Sequence, residues 1–113
     1  MKTIIRNATV VDGTGAPRFA GEVAFEDDCI VAVGPQLSGS FDREIDAGGQ
    51  IVCPGFIDTH SHSDLFALCQ SAIEPKIYQG ITTDVLGQDG ISMAPLPRQH
   101  VTAWRQNIGG LEG

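Results

Sequence analysis

The chain has 113 residues, 42% hydrophobic and 19% charged, with seven basic against fourteen acidic side chains and a net charge of −7. That balance argues against a disordered tail, and an acidic surface repels phosphate backbones, so no nucleic-acid partner is expected. No apolar run approaches the ~20 residues of a membrane helix, and the opening Met1-Lys2-Thr3-Ile4-Ile5-Arg6 lacks the apolar stretch of a signal peptide, which together predict a cytoplasmic chain with no membrane partner.

The first half reads as strands and turns. Residues 2–11 are rich in β-branched side chains and end at Asp12-Gly13-Thr14-Gly15, a strong turn signal. Residues 22–26 alternate, with Val23 and Phe25 on one face, and Asp27-Asp28 then separates them from Cys29-Ile30-Val31-Ala32-Val33. Two strands around a two-residue acidic turn predict a hairpin, with an Asp accepting a positive φ. A polar loop follows over 36–41, Glu44-Ile45-Asp46 is a further short strand, and Gly48-Gly49 is the next turn. Residues 1–53 therefore form a β-rich subdomain.

The pattern changes in residues 54–113. Phe56-Ile57-Asp58-Thr59-His60 reads as a buried strand with a polar end. Residues 65–79 carry Leu65, Leu68, Cys69, Ala72, Ile73 and Ile77 at helical spacing, divided by Pro75, with Asp64 as N-cap and Gly80 as C-cap. Ile81–Leu86 is a second strand, 87–97 a Gly- and Pro-rich loop, and 98–108 a helix with Val101, Trp104 and Ile108 on one face. Strand, helix, strand, loop, helix predicts a parallel sheet with crossover helices. Trp104 reads as a core aromatic, Cys53 and Cys69 as small core residues, and His100 as solvent-facing. With Cys29 the cysteines number three and include no C-x-x-C pair, so neither a disulfide framework nor a zinc ribbon is implied.

Chemistry concentrates in Asp58-Thr59-His60-Ser61-His62. Histidines at i and i+2 on an extended segment share a face, with Cα atoms roughly 6–7 Å apart. Two such imidazoles suit one divalent ion at about 2.0–2.1 Å. They follow a strand of a parallel sheet, where α/β folds place their sites, and Asp58 has the parity to orient or join them. The same pair also fits two solvated loop histidines, and the spacing alone leaves both readings open.

The string Pro54-Gly55-Phe56-Ile57-Asp58-Thr59-His60-Ser61-His62 resembles the first metal-ligand motif of the amidohydrolase superfamily, in which the histidine pair ends the first strand of a (β/α)8 barrel. Asn7–Gly15 and Ile30–Gly34 resemble that family's opening strand, turn and second hairpin. Gln79-Gly80-Ile81-Thr82-Thr83 and Gly87-Gln88-Asp89-Gly90-Ile91-Ser92-Met93-Ala94-Pro95 resemble the D-aminoacylase branch, the N-acyl-D-amino-acid deacylases. The resemblance implies an α/β chain, the N-terminal part of a β-sandwich-like subdomain over 1–53 followed by the first βα units of the barrel over 54–113. It implies a divalent metal, zinc first, on His60 and His62, and water activated by that metal attacking the amide of an N-acyl-D-amino acid.

Many D-aminoacylases have Cys where Asp89 stands. A carboxylate is a reasonable replacement zinc ligand, although a harder one; the alternative is a turn-forming Asp before Gly90. Dihydroorotases share the histidine pair but commonly follow it with an arginine, whereas Ser63-Asp64 stands here. A barrel takes about 250 residues, so the resemblance implies an N-terminal piece, inactive alone, with its general acid/base downstream and unpaired edges that favour self-association. The alternatives are an amidohydrolase acting on cyclic amides, as dihydroorotases and hydantoinases do, and a non-enzymatic remnant or assembly partner.

Overall fold

A computed structural model of the chain describes residues 1–64, 66, 73–92 and 94–108. The chain divides into two compact units, Met1–Pro54 and Gly55–Gly113. No helix among the described residues is long and apolar enough to cross a membrane.

The first unit is a five-stranded sheet of β1 (Lys2–Val10), β2 (Phe19–Glu26), β3 (Cys29–Gly34), β4 (Arg43–Asp46) and β5 (Ile51–Val52). The order is β3-β2-β1-β4, and β5 also pairs with β1. β1 runs antiparallel to β2, and β2 antiparallel to β3 through the Asp27-Asp28 hairpin, whose Asp27 takes φ 55°. β4 and β5 both lie parallel to β1, along Thr3–Arg6 and Thr9–Val10 respectively. The switch between them falls at Asn7, where a φ of 54° bends the strand and the β1–β2 register shifts between Ile5 and Ala8. Asn is among the side chains that enter this left-handed region most readily, and its amide donates across to Asp46 Oδ1 at the end of β4 at 3.0 Å.

Ile4, Ala8, Val10, Val23 and Ala24 form the buried interior of this unit. Phe25 is only half-buried, because the β2–β3 register shifts between Ala24 and Phe25 and the strict two-residue alternation is lost. Arg6 is bracketed by Glu22 and Glu44, at 2.9 and 3.0 Å, and lies over the Phe41 ring. Cys53, expected inside, is exposed, as is Cys29. Cys53 follows the two-residue β5, where the chain leaves the sheet. Cys69 lies outside the described residues.

In the second unit, β6 (Phe56–Asp58) and β7 (Ile81–Asp84) pair in parallel, joined by a crossover that contains the short helix α1 (Glu74–Ile77). The expected parallel arrangement is present. The expectation of a buried β6 is not met: Phe56 and Ile57 are 59% and 62% exposed. A parallel sheet needs a layer on each face, and among the described residues only α1 packs on β7. Ile77, assigned to the apolar helix face, is likewise exposed.

Pro75 stands in the first turn of α1, where its missing N–H costs nothing. Gly80 closes that segment at φ 81° and donates to the Ile77 carbonyl. Of the expected apolar helix over 65–79, residues 65 and 67–72 lie outside the described residues. Asp64 is helical and 1% exposed, and the helix it was expected to cap runs over residues outside the described ones. Beyond β7, a tight turn over Arg98–His100 leads into α2 (Val101–Ile108), with Val101 and Trp104 half-buried and His100 exposed.

Candidate metal centre

β6 ends at Asp58, and its carboxylate shapes the turn into the histidine pair. Asp58 Oδ1 accepts the backbone N–H of His60 at 3.2 Å, which turns the chain out of the sheet. Ser61 is 5% exposed and faces inward, while the flanking imidazoles are 62% and 38% exposed. The i, i+2 spacing thus places both imidazoles on one side of an irregular segment. Their ring centroids are 5.6 Å apart with the planes at 75°.

Asp89 comes from the loop after β7, in a tight turn over Gln88–Gly90. It adopts φ 55°, ψ 27° between Gly87 and Gly90, both also at positive φ. Aspartate is among the few side chains that enter this region readily, and the conformation aims its carboxylate at the histidines. Asp89 Oδ2 lies 3.1 Å from His60 Nε2 and 3.2 Å from His62 Nε2. One ligand atom from each of the three residues falls within 4.8 Å of the others.

The donor set suits a divalent ion. Ligand atoms around a tetrahedral zinc at about 2.0–2.2 Å lie about 3.3 Å from one another, close to the spacing of Oδ2 from either Nε2. Two neutral imidazoles and a carboxylate are ordinary zinc ligands. His100, exposed on the later turn, is outside this group.

Asp58 orients the histidine segment through the His60 amide rather than joining the imidazoles as a ligand. Its Oδ2 accepts from Lys76 Nζ at 2.9 Å. Lys76 also donates to Asp84 Oδ1 at 2.6 Å and to Ser61 Oγ. The Lys76 hydrogen bond, together with the weaker one from the His60 amide, holds the Asp58 carboxyl below the usual carboxylate range. For Lys76, burial pulls the ammonium pKa down, but the hydrogen bonds to Asp84 and Asp58 outweigh it and leave it raised.

Lys76, Asp84 and Ser61 are the residues that reading by motif passed over. A signal for them exists: Lys76 is the only Lys or Arg between Arg43 and Arg98, and each strand ends on an aspartate. Asp64 Oδ2 and Trp104 Nε1 are buried without a hydrogen-bond partner among the described residues.

Known proteins match most of the chain. The amidohydrolase family profile matches residues 43–110. The N-acyl-D-glutamate deacylase of Alcaligenes xylosoxydans xylosoxydans is 45% identical over 88% of this chain and 20% of its own length. A D-aminoacylase structure with a binuclear metal centre superposes with a TM-score of 0.78 at 47% identity, covering 83% of this chain and 20% of that one. The N-acyl-D-glutamate deacylase of Bordetella bronchiseptica, bound to zinc and a phosphonate mimic of the tetrahedral intermediate, gives 0.73 at 38%, covering 91% and 22%. The chain spans about one-fifth of the length of these relatives. Its mixed α/β arrangement matches the N-terminal part of the D-aminoacylase structures.

Proposed function

This chain belongs to the amidohydrolase family, and we propose that it forms the N-terminal part of a D-aminoacylase-like enzyme that hydrolyses the amide bond of N-acyl-D-amino acids. What supports the reading is one observation above the others: His60, His62 and Asp89 bring their ligand atoms within 4.8 Å of one another at the ends of a parallel strand pair. The matching relatives, at 38–45% identity, are deacylases acting on N-acyl-D-amino acids or named D-aminoacylase, so the cyclic-amide alternative is not favoured.

In this reading His60 and His62 would hold a divalent ion, zinc first, and Asp89 would complete the site. When bound, such an ion acts as a Lewis acid toward the amide carbonyl and makes water a stronger nucleophile near neutral pH. The chain's own residues supply position. Asp58 fixes the turn that presents the imidazoles, and the left-handed turn at Asp89 brings a negative charge to them. The carboxylate would offset part of the charge of such an ion. It is a harder donor than the thiolate many D-aminoacylases carry at this position, which moves metal preference away from the softest ions.

We place β6, α1 and β7 as the first βα units of a (β/α)8 barrel, within a domain that begins at residue 54, and β1–β5 as part of a β-sandwich-like subdomain over 1–53. The exposed Ile30, Val31 and Val33 on the edge strand β3 support self-association through that edge.

Two measurements test the proposal. Zinc content after dialysis is expected to fall to background in His60→Ala/His62→Ala, and equal content in wild type and variant would refute the metal assignment. The 113 residues alone are expected to take up metal without releasing D-amino acid from N-acetyl-D-glutamate. Hydrolysis by this chain that disappears in His60→Ala would overturn that division of labour.

A further inference from the structure

The ends of β6 and β7 pose an electrostatic problem that one side chain solves. Asp58 and Asp84 are register partners on adjacent parallel strands, so their carboxylates lie side by side on one face, where like charges repel. Both are largely withdrawn from water, at 27% and 16% exposed, which weakens screening. Lys76, 17% exposed, reaches in from the crossover helix and bonds to both. A third bond goes to Ser61 Oγ, between the two histidines.

Each carboxylate stands at the root of a segment that carries metal donors. Asp58 precedes His60 by two residues and holds its amide. Asp84 opens the loop that reaches Asp89, and the next amide, Val85 N–H, bonds to the Asp58 carbonyl at 2.8 Å. The separation of the two strand ends therefore sets the separation of the imidazoles from Asp89.

Resting on the metal reading above, we propose that Lys76 is a positioning residue for the metal centre: it neutralises the facing pair Asp58 and Asp84 and so holds the His60–His62 segment and the Asp89 loop at ligating distance. It touches none of the three ligands and acts through the strand ends.

The test uses the full chain, with zinc affinity measured by chelator competition and amide resonances of His60 and Asp89 followed by NMR without metal. Lys76→Met is expected to weaken zinc binding at least about tenfold, the scale at which supports of metal ligands act, and to shift both resonances. Lys76→Arg, which keeps the charge, is expected to stay within about threefold. Lys76→Met/Asp84→Asn, which leaves one carboxylate, is expected to recover affinity relative to Lys76→Met.

A folded Lys76→Met with wild-type affinity and unmoved resonances would overturn the proposal, as would a double variant no better than the single. Should Lys76→Met fail to fold, the double variant decides: folding and zinc uptake restored support charge compensation, and a double variant that still fails refutes it. A wild-type chain that takes up no zinc overturns the metal assignment instead, while the resonances in the metal-free protein still decide whether Lys76 sets the positions of His60 and Asp89.

Discussion

Replacing Gly55 by alanine puts a methyl group where β7 already is. A Cβ at this position meets the Thr82 side chain, with Thr82 Cβ itself 2.7 Å away. Rotating Thr82 moves its hydroxyl and methyl but leaves its Cβ in place, so a rotamer change gives no relief. Carbon atoms rest at about 3.5–4.0 Å, so the strands must part by about 1 Å. The hydrogen bond from Phe56 N–H to the Gly80 carbonyl, now 2.8 Å, then stretches beyond useful range. Losing it costs about 1 kcal/mol, and the overpacking a further 1–3, for a total of about 2–4 kcal/mol. The sign is informative, because alanine at a compatible glycine position stabilises by about 0.4–1 kcal/mol through the unfolded chain.

Urea unfolding followed by Trp104 fluorescence reads the effect, since Trp104 is the single tryptophan and belongs to the same unit. Zinc affinity is expected to fall with it, as the displacement occurs at the base of the strand carrying Asp58. Gly55→Ala/Thr82→Gly, which removes the opposing Cβ, is expected to recover a large part of the lost stability. An unchanged or raised midpoint in Gly55→Ala would show that the strands do not approach as described, and the reasoning about this sheet would fail.

In the first unit, Ile4→Ala removes a fully buried side chain from the central strand; a loss of about 2–5 kcal/mol is expected in urea unfolding, and less than about 1 would mean this interior is not close-packed. The carboxyl of Glu22 lies below its ordinary 4.5 because of the Leu37 amide and then Arg6, and that of Glu44 lies below it because of Arg6. Carboxylates depressed by folding stabilise above the unfolded value, so melting temperature is expected to fall as pH drops through about 4.5 and below. Glu22→Gln is expected to flatten that part of the curve, and an unaltered slope would discount the Arg6 cluster. At the proposed metal centre, Asp89→Cys is expected to keep zinc binding and raise preference for softer ions such as cadmium, whereas Asp89→Ala weakens both. Equal metal affinity in Asp89→Ala and wild type, measured by competition titration, would remove Asp89 from the site.

Much of the fold was legible because it is local. The β-branched run of β1, the Asp27-Asp28 hairpin, and the glycine turns at 48–49 and 80 follow from backbone preferences of adjacent residues. The candidate metal motif rested on more than locality: the two-residue spacing of His60 and His62 left solvated loop histidines open, and Asp89 in Gly87-Gln88-Asp89-Gly90 entered through the resemblance to the D-aminoacylase branch. Burial was a different matter. Apolar character in Phe56, Ile57, Ile77 and Cys53 suggested an interior, yet what covers a side chain depends on neighbouring layers rather than on its own type.

By itself, then, the order of residues determined the strands and their turns, since each depends on a few consecutive positions, and it named the candidate ligands only with the help of the family resemblance. Only the tertiary structure decided that Asp89, 29 residues from His60, comes within about 3 Å of both imidazoles. It alone showed that the other Asp58 oxygen is held by Lys76. The physical reason is register: parallel pairing sets Asp58 beside Asp84, two like charges at one place demand a cation, and the crossover supplies the one that lies within reach.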